Sequence, residues 1–241
     1  MTKRHVSILA IAFVLGGFSL AISIAPGSAS SLALSSQHLT AYRTCTVTAT
    51  PSTTTSVIDA TVEQATPTSN FGSATTLEVD SARNDNARTY LKFDLSGCHP
   101  TIPSSAAVKT ATLNIYASAL PNACRTFDVF RVTAAWAEAT VTWNNQPSDP
   151  TVNKPPASSR TTSFKIGAKN NCDNSSTGYV SDIDVLDDVA DYVSGAATNY
   201  GWMIRDNSEN AGTARTATFS AKNLGTLSQA PQLIVTYVTS P

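Results

Sequence analysis

The stretch Asn84–Gly97, NDNARTYLKFDLSG, decides the fold. Its second half alternates with a period of two: Leu91, Phe93 and Leu95 fall on one side, and Tyr90, Lys92 and Asp94 on the other. Such a run is a half-buried β-strand with an apolar underside. Its outer row carries a phenol ring, an ammonium and a carboxylate.

The same rhythm recurs on both sides of it. Strands are expected at Val57–Val62, Thr76–Val79, Thr89–Leu95, Ala111–Ala117, Thr126–Val132, Thr161–Ile166, Tyr179–Val185, Gly201–Arg205, Thr216–Ser220 and Gln232–Val238. Turn-forming clusters separate them at Pro67–Gly72, Ala82–Ala87, Pro100–Ser105, Ser148–Pro156, Asn170–Gly178 and Asp206–Gly212. Many short strands between polar loops favour an antiparallel β-sandwich over a parallel α/β sheet. One short helix is expected at Asp187–Ser194, with Asp187 as its cap and Gly195 as its stop. Val141 and Trp143 read as neighbours on one strand face, with an indole in the core. In the last strand Leu233, Val235 and Tyr237 oppose Ile234, Thr236 and Val238, so both faces are expected to be covered.

The N-terminus reads as an export signal. Lys3 and Arg4 precede an apolar run from Val6 to about Ile24, and small residues around Gly27 place a cut after Ala29. The expected organisation is a signal peptide at 1–29, a Ser/Thr-rich lead-in at 30–55 and one β domain at 56–239. Within the lead-in, Tyr42–Thr48 is a candidate strand that Cys45 can staple down. All four cysteines, Cys45, Cys98, Cys124 and Cys172, lie beyond the signal. Their even number and wide spacing point to two disulfides in an oxidising compartment, with three pairings open. Sixteen basic residues face seventeen acidic ones. A balance so close to zero excludes a nucleic-acid binder, which needs a basic field. Once the signal is cut away no membrane segment is expected. The oligomeric state is left open.

Six segments in order carry a family resemblance: NFGSATTLEVDS (Asn70–Ser81), RTYLKFDLSG (Arg88–Gly97), IPSSAAVKTATLNIYAS (Ile102–Ser118), FRVTAAWAEATVTWNNQP (Phe130–Pro147), NYGWMIRD (Asn199–Asp206) and FSAKNLGTLSQAPQLIVTY (Phe219–Tyr237). Together they resemble a DNRLRE domain, also classed as carbohydrate-binding module family 96, over about residues 56–239. The resemblance implies a secreted jelly-roll β-sandwich. It also implies a polysaccharide partner, because some members sit beside polysaccharide-degrading enzymes and bind acidic polymers such as alginate. Other members belong to surface or matrix proteins, which is the alternative reading for this chain.

Sugar rings stack on aromatics, and a uronate carboxylate takes a bidentate Arg or the point charge of Lys. Arg88, Tyr90 and Lys92 project from one strand face and form the expected ligand row. Arg131 and Arg205 lie on other strands and could add to it. No catalytic residue is expected. Only His38 and His99 lie beyond the signal, and no G-x-S-x-G, H-E-x-x-H or P-loop motif occurs. A polysaccharide lyase using Tyr90 or Lys92 as base beside Arg88 is the enzymatic alternative. No cofactor is expected other than a structural calcium. The oxygen-rich clusters Asn84–Asn86, Asn170–Asn174 and Asp206–Asn210 could offer it ligands, although such residues also favour tight turns for local reasons.

Overall fold

A computed structural model describes residues 41–50, 54–147, 160–169, 172–212 and 215–239. The proposed signal and residues 30–40 of the lead-in lie outside them. Each run with two-residue alternation coincides with a strand: β2 Val57–Glu63, β3 Thr76–Ala82, β4 Asp85–Phe93, β5 Ala107–Ala119, β6 Arg125–Arg131, β7 Arg160–Ile166, β8 Gly178–Asp184, β9 Trp202–Asp206, β10 Ala217–Ser220 and β11 Gln232–Val238. The lead-in contributes β1, Tyr42–Thr48, which pairs antiparallel with β11 along its whole length. The sheet therefore begins upstream of residue 56. The helix α1 spans Leu186–Ser194 and ends at Gly195 in the left-handed conformation. Its N-terminus differs from expectation. The Asp184 carboxylate accepts from the Leu186 amide, while Asp187 sits inside the first turn.

All strand pairs are antiparallel. One group runs β1-β11-β5, with β8 on the other side of β5 and β10 continuing along β5 beyond β11. The second group runs β2-β4-β9-β6-β7. β3 belongs to both: Thr76–Val79 pairs with β10, and Asp80–Ala82 turns into a hairpin with β4. Asn84 closes that hairpin at φ 60°, a conformation that Asn tolerates and most side chains avoid. At the other end of β4, Leu95 leaves the strand. A 3₁₀ turn covers Leu95–Gly97, and the Asp94 carboxylate caps it by accepting from the Ser96 amide.

The main core draws on both groups of strands. It includes Val57, Leu91 and Phe93 with Phe127, Trp202 and Ile204, and from the other group Leu113, Ile115, Leu233, Val235 and Tyr237. Val189 of α1 packs into the same core. A second apolar cluster lies on the opposite face of β2-β4-β9-β6: Ala60, Val62, Tyr90, Phe130, Val132 and Met203, covered by Val141 and Trp143. Val141 and Trp143 are buried as expected, but they sit in the irregular segment 132–147 rather than on a strand. β4 is thus apolar-lined on both faces.

The cysteines pair as Cys45–Cys98 and Cys124–Cys172, across 53 and 48 residues of chain. The first ties β1 to the turn after β4. Loops of this length give each bridge about 4 kcal/mol in the chain-entropy account. No helix among the described residues is long and apolar enough to cross a membrane.

Candidate functional site

Alternation along β4 sends Arg88, Tyr90 and Lys92 to the face away from the main core, as the sequence predicts. The expectation of an open face there is corrected, because the segment 132–147 and the turn after β9 cover it. Arg88 is fully buried. Its Nε donates to Glu209 Oε1 at 2.7 Å and its Nη2 to Glu209 Oε2 at 2.8 Å, a bidentate fork. Nη1 donates to Gln146 Oε1 at 3.2 Å, and the guanidinium lies 4.6 Å from the centre of the Trp143 ring. Tyr90 is also buried. Its hydroxyl donates to the same Gln146 oxygen at 3.1 Å, and its ring leans on Trp136 at 5.5 Å. These two side chains act inside the protein, holding the cover down.

The cover is clamped by residues of the family-like segments. Asn70 Nδ2 donates to the carbonyls of Glu138 and Val141 at 2.7 and 2.8 Å, and the Trp136 indole N–H donates to the Tyr200 carbonyl at 2.8 Å. Gly72 lies so close that a Cβ there would stand 2.2 Å from the Glu138 carbonyl oxygen. Glu138 also accepts from the Asp59 amide and from Lys222 Nζ, at 3.1 and 2.9 Å. Beneath it the Asp59 carboxylate accepts from the Lys222 amide at 2.7 Å. Burial pushes the Asp59 carboxyl up to about 7; the nearby Glu138 charge adds to this, while the Lys222 amide and charge offset part of it.

The other sequence-predicted residues divide. Arg205 joins Arg88, since its Nη1 donates to Glu209 Oε2 at 3.1 Å, and it lies over the Phe130 ring at 5.2 Å. Lys92 is half-buried near the end of the same face. Gly201 approaches its backbone at φ +78°, and a Cβ there would meet the Leu91 carbonyl at 2.0 Å. Arg131 points away from the other four. It alternates with Phe130 and reaches α1, pairing with Asp188 at 3.4 Å and Asp191 at 2.5 Å. It lines a cleft of about 290 Å³ with Arg160, Thr161, Thr162, Asp184 and Asp187. The five residues therefore do not form one row. What the sequence did not signal were the acidic and amide partners Glu209, Gln146 and Glu138, which come from loops far from β4.

Two further surface features have the chemistry for a ligand. A depression of about 380 Å³ on the cover is lined by Trp136, Thr140, Val141 and Asn145. A cleft of about 320 Å³ runs between β5 and β8, lined by Lys109, Thr110, Thr112, Ser181 and Asp184. The oxygen-rich clusters serve local structure where they are described. Asn86 Nδ2 donates to Gln64 and to Asn210, and Asp206 forms a fork with Arg125. Residues 170 and 171 of the middle cluster lie outside the described residues. Among the described residues, no group of three or more His, Cys, Asp or Glu is arranged to hold a metal ion.

No curated protein sequence matches the chain. The sequence profile of carbohydrate-binding module family 96 matches residues 50–237, which span β2 to the penultimate residue of β11. The chain belongs to carbohydrate-binding module family 96.

Proposed function

We propose that this protein is a secreted, non-catalytic module that binds a polysaccharide, with its two groups of strands facing each other as a jelly-roll sandwich. The observation that carries the reading is the family match, which spans nearly the whole β domain. Two disulfides and the signal-like leader support an extracellular setting. A clamped, bidentate-locked cover over β4 suits a rigid scaffold, which keeps a binding surface pre-organised. Among the predicted contacts, Lys92, Arg131 and Arg205 keep some side-chain exposure, and they remain the proposed uronate contacts for an acidic polymer.

A matrix or cell-surface building block is the second reading. It is favoured by one observation: Arg88, Arg131 and Arg205 each already face a carboxylate, leaving little free cation for a uronate.

Affinity gel electrophoresis against alginate, pectin, xylan and chitin derivatives tests the proposal. Retardation by at least one polymer is the expected result. Retardation by alginate that weakens with salt and is lost in Arg131→Ala and Lys92→Ala would support the acidic ligand. Mobility unchanged by every polymer would remove the binding function and favour the structural reading.

A further inference from the structure

One end of the outward face of β4 gathers two aromatic rings and a cation. Trp136 of the cover and Tyr200 of the loop before β9 are both half-buried against the second apolar cluster. The Trp136 indole N–H donates to the Tyr200 carbonyl at 2.8 Å, and the indole leans on the Tyr90 ring at 5.5 Å. Lys92 stands two residues beyond Tyr90 on the same face and is half-buried. The Tyr200–Gly201 backbone links it to the indole, because a Cβ at Gly201 would meet Lys92 Cα at 2.8 Å. Trp136 also lines the depression of about 380 Å³ on the cover, together with Ala135, Thr140 and Asn145.

Charge singles this corner out. Arg88, Arg131 and Arg205 are each held by a carboxylate, whereas Lys92 has no hydrogen bond or ion pair among the described residues. The nearby carboxylates are engaged elsewhere: Asp94 accepts from the Ser96 amide, and Glu138 accepts from the Asp59 amide and from Lys222 Nζ. No carboxylate lines the depression at Trp136. The cleft beside α1 instead presents Asp184, Asp187, Asp188 and Asp191 against Arg131 and Arg160, and the cleft between β5 and β8 sets Asp184 against Lys109. Of these three hollows, the one at Trp136 is the one that does not turn a carboxylate toward an anionic chain.

We infer that Trp136, Tyr200 and Lys92 form a subsite for an acidic polysaccharide, in which a uronate ring rests on the half-exposed indole and its carboxylate meets the Lys92 ammonium. The inference rests on the carbohydrate-binding reading and adds where on the cover a uronate sits. The C–H face of a sugar ring packs on an aromatic surface, and an indole fixed at its N–H and backed by Tyr90 keeps that surface pre-organised. Lys acts as a point charge on a flexible stem, which suits a carboxylate whose orientation varies from one ring to the next. The adjoining depression takes a neighbouring ring, with the Thr140 hydroxyl on its wall. Among the three proposed uronate contacts, Lys92 serves this ring. Arg131 stands at the same end of the sheet on its other face, and Arg205 stands toward the opposite end, so both serve rings farther along the polymer. The buried Tyr90 then has a part in binding after all, as the support beneath the indole rather than as a contact.

The test titrates the full chain with an alginate trisaccharide, followed by tryptophan emission and by calorimetry. Of the three tryptophans, Trp143 and Trp202 are buried, so Trp136 is the one a ligand can touch. Binding is expected to change the emission, and Trp136→Phe, which keeps a ring against Tyr90, to abolish that change. Lys92→Ala and Thr140→Glu should each weaken the trisaccharide at least ~10-fold, while Arg131→Ala should weaken it less than ~3-fold. Lys92 has no polar partner to lose and Thr140 is exposed, so both variants should keep the wild-type thermal midpoint; a loss of binding there cannot be ascribed to unfolding. Binding with unchanged emission, or undiminished in Lys92→Ala and Thr140→Glu, would overturn the subsite and leave the binding function standing. Retardation by the alginate polymer without binding of the trisaccharide would overturn it in the same way. Equal affinity for a xylan trisaccharide would overturn the acidic ligand. Retardation by no polymer at all would remove this inference together with the function on which it rests.

Discussion

Arg88 offers the sharpest test of the covered face. If its guanidinium stood on an open sheet, losing it would cost about 0–1 kcal/mol, as for exposed ion pairs. The structure gives a different answer: both members of the Arg88–Glu209 pair are buried, with side-chain exposures of 0 % and 2 %. Breaking a buried pair by removing one partner costs roughly 3–5 kcal/mol. Arg88→Met should fall near the lower end, because Arg205 still reaches Glu209 at 3.1 Å and keeps that carboxylate paired. Glu209→Gln should fall nearer the upper end. It leaves a buried guanidinium facing an amide that can accept only one of the two forked bonds, with Gln146 and the Trp143 ring as the remaining support. The double variant Arg88→Met/Glu209→Gln should cost less than the sum, since it strands neither charge. Urea unfolding at neutral pH with the disulfides intact measures all three. Single variants within ~1 kcal/mol of the wild type would show that the cover does not close over Arg88 and would refute the reasoning.

Opening the Cys45–Cys98 bridge with the pair Cys45→Ala/Cys98→Ala should cost about 4 kcal/mol and lower the thermal midpoint; an unchanged midpoint would mean that β1 is held by its pairing with β11 alone. Asp59 makes stability depend on pH. Its folded pKa, about 7, lies above the ordinary 3.8, so the folded chain holds a proton that the unfolded chain has lost between those values. That contribution favours the fold at low pH and is lost as pH rises through 7, with a slope no steeper than about 1.4 kcal/mol per pH unit. The stability of Asp59→Asn relative to the wild type should therefore increase from pH 5 to pH 8 in denaturant titrations, and a flat difference would count against the buried carboxyl. Gly201→Ala should destabilise by more than about 1 kcal/mol, because it combines a positive φ with a Cβ driven into the Leu91 carbonyl; wild-type stability would mean that β4 and β9 are not packed as described.

Strand positions were legible because a period of two survives wherever one side of a strand meets the core. Leu91 and Phe93, Trp202 and Ile204, and Leu233 and Val235 all lie where alternation puts them. What alternation cannot express is whether something lies on the second face. In β4 the outward Arg, Tyr and Lys look like a wet row, yet segment 132–147 and Glu209 close over two of them. In β11 the outward Ile234 and Thr236 look like a covered side, and they are covered only in part, while Val238 beside them is buried. The cover over β4 comes from Gln146 and Glu209, more than 50 residues away in sequence, which local pattern does not carry. Arg131 is a subtler case. Its place on β6 was readable, but whether it shared a face with Arg205 depended on the register between β6 and β9, which only pairing fixes. The disulfide connectivity was open for the same reason.

The pairing of Tyr42 with Val238 sets the two extremities of the domain side by side. Any polypeptide continuing from either extremity departs from a single corner. A tether there would let the β domain swing as a pendant, with its remaining flanks turned outward to whatever lies beyond. A short linker between the same two points would also close the chain into a ring, so new ends could be cut at another surface turn without disturbing the strand order.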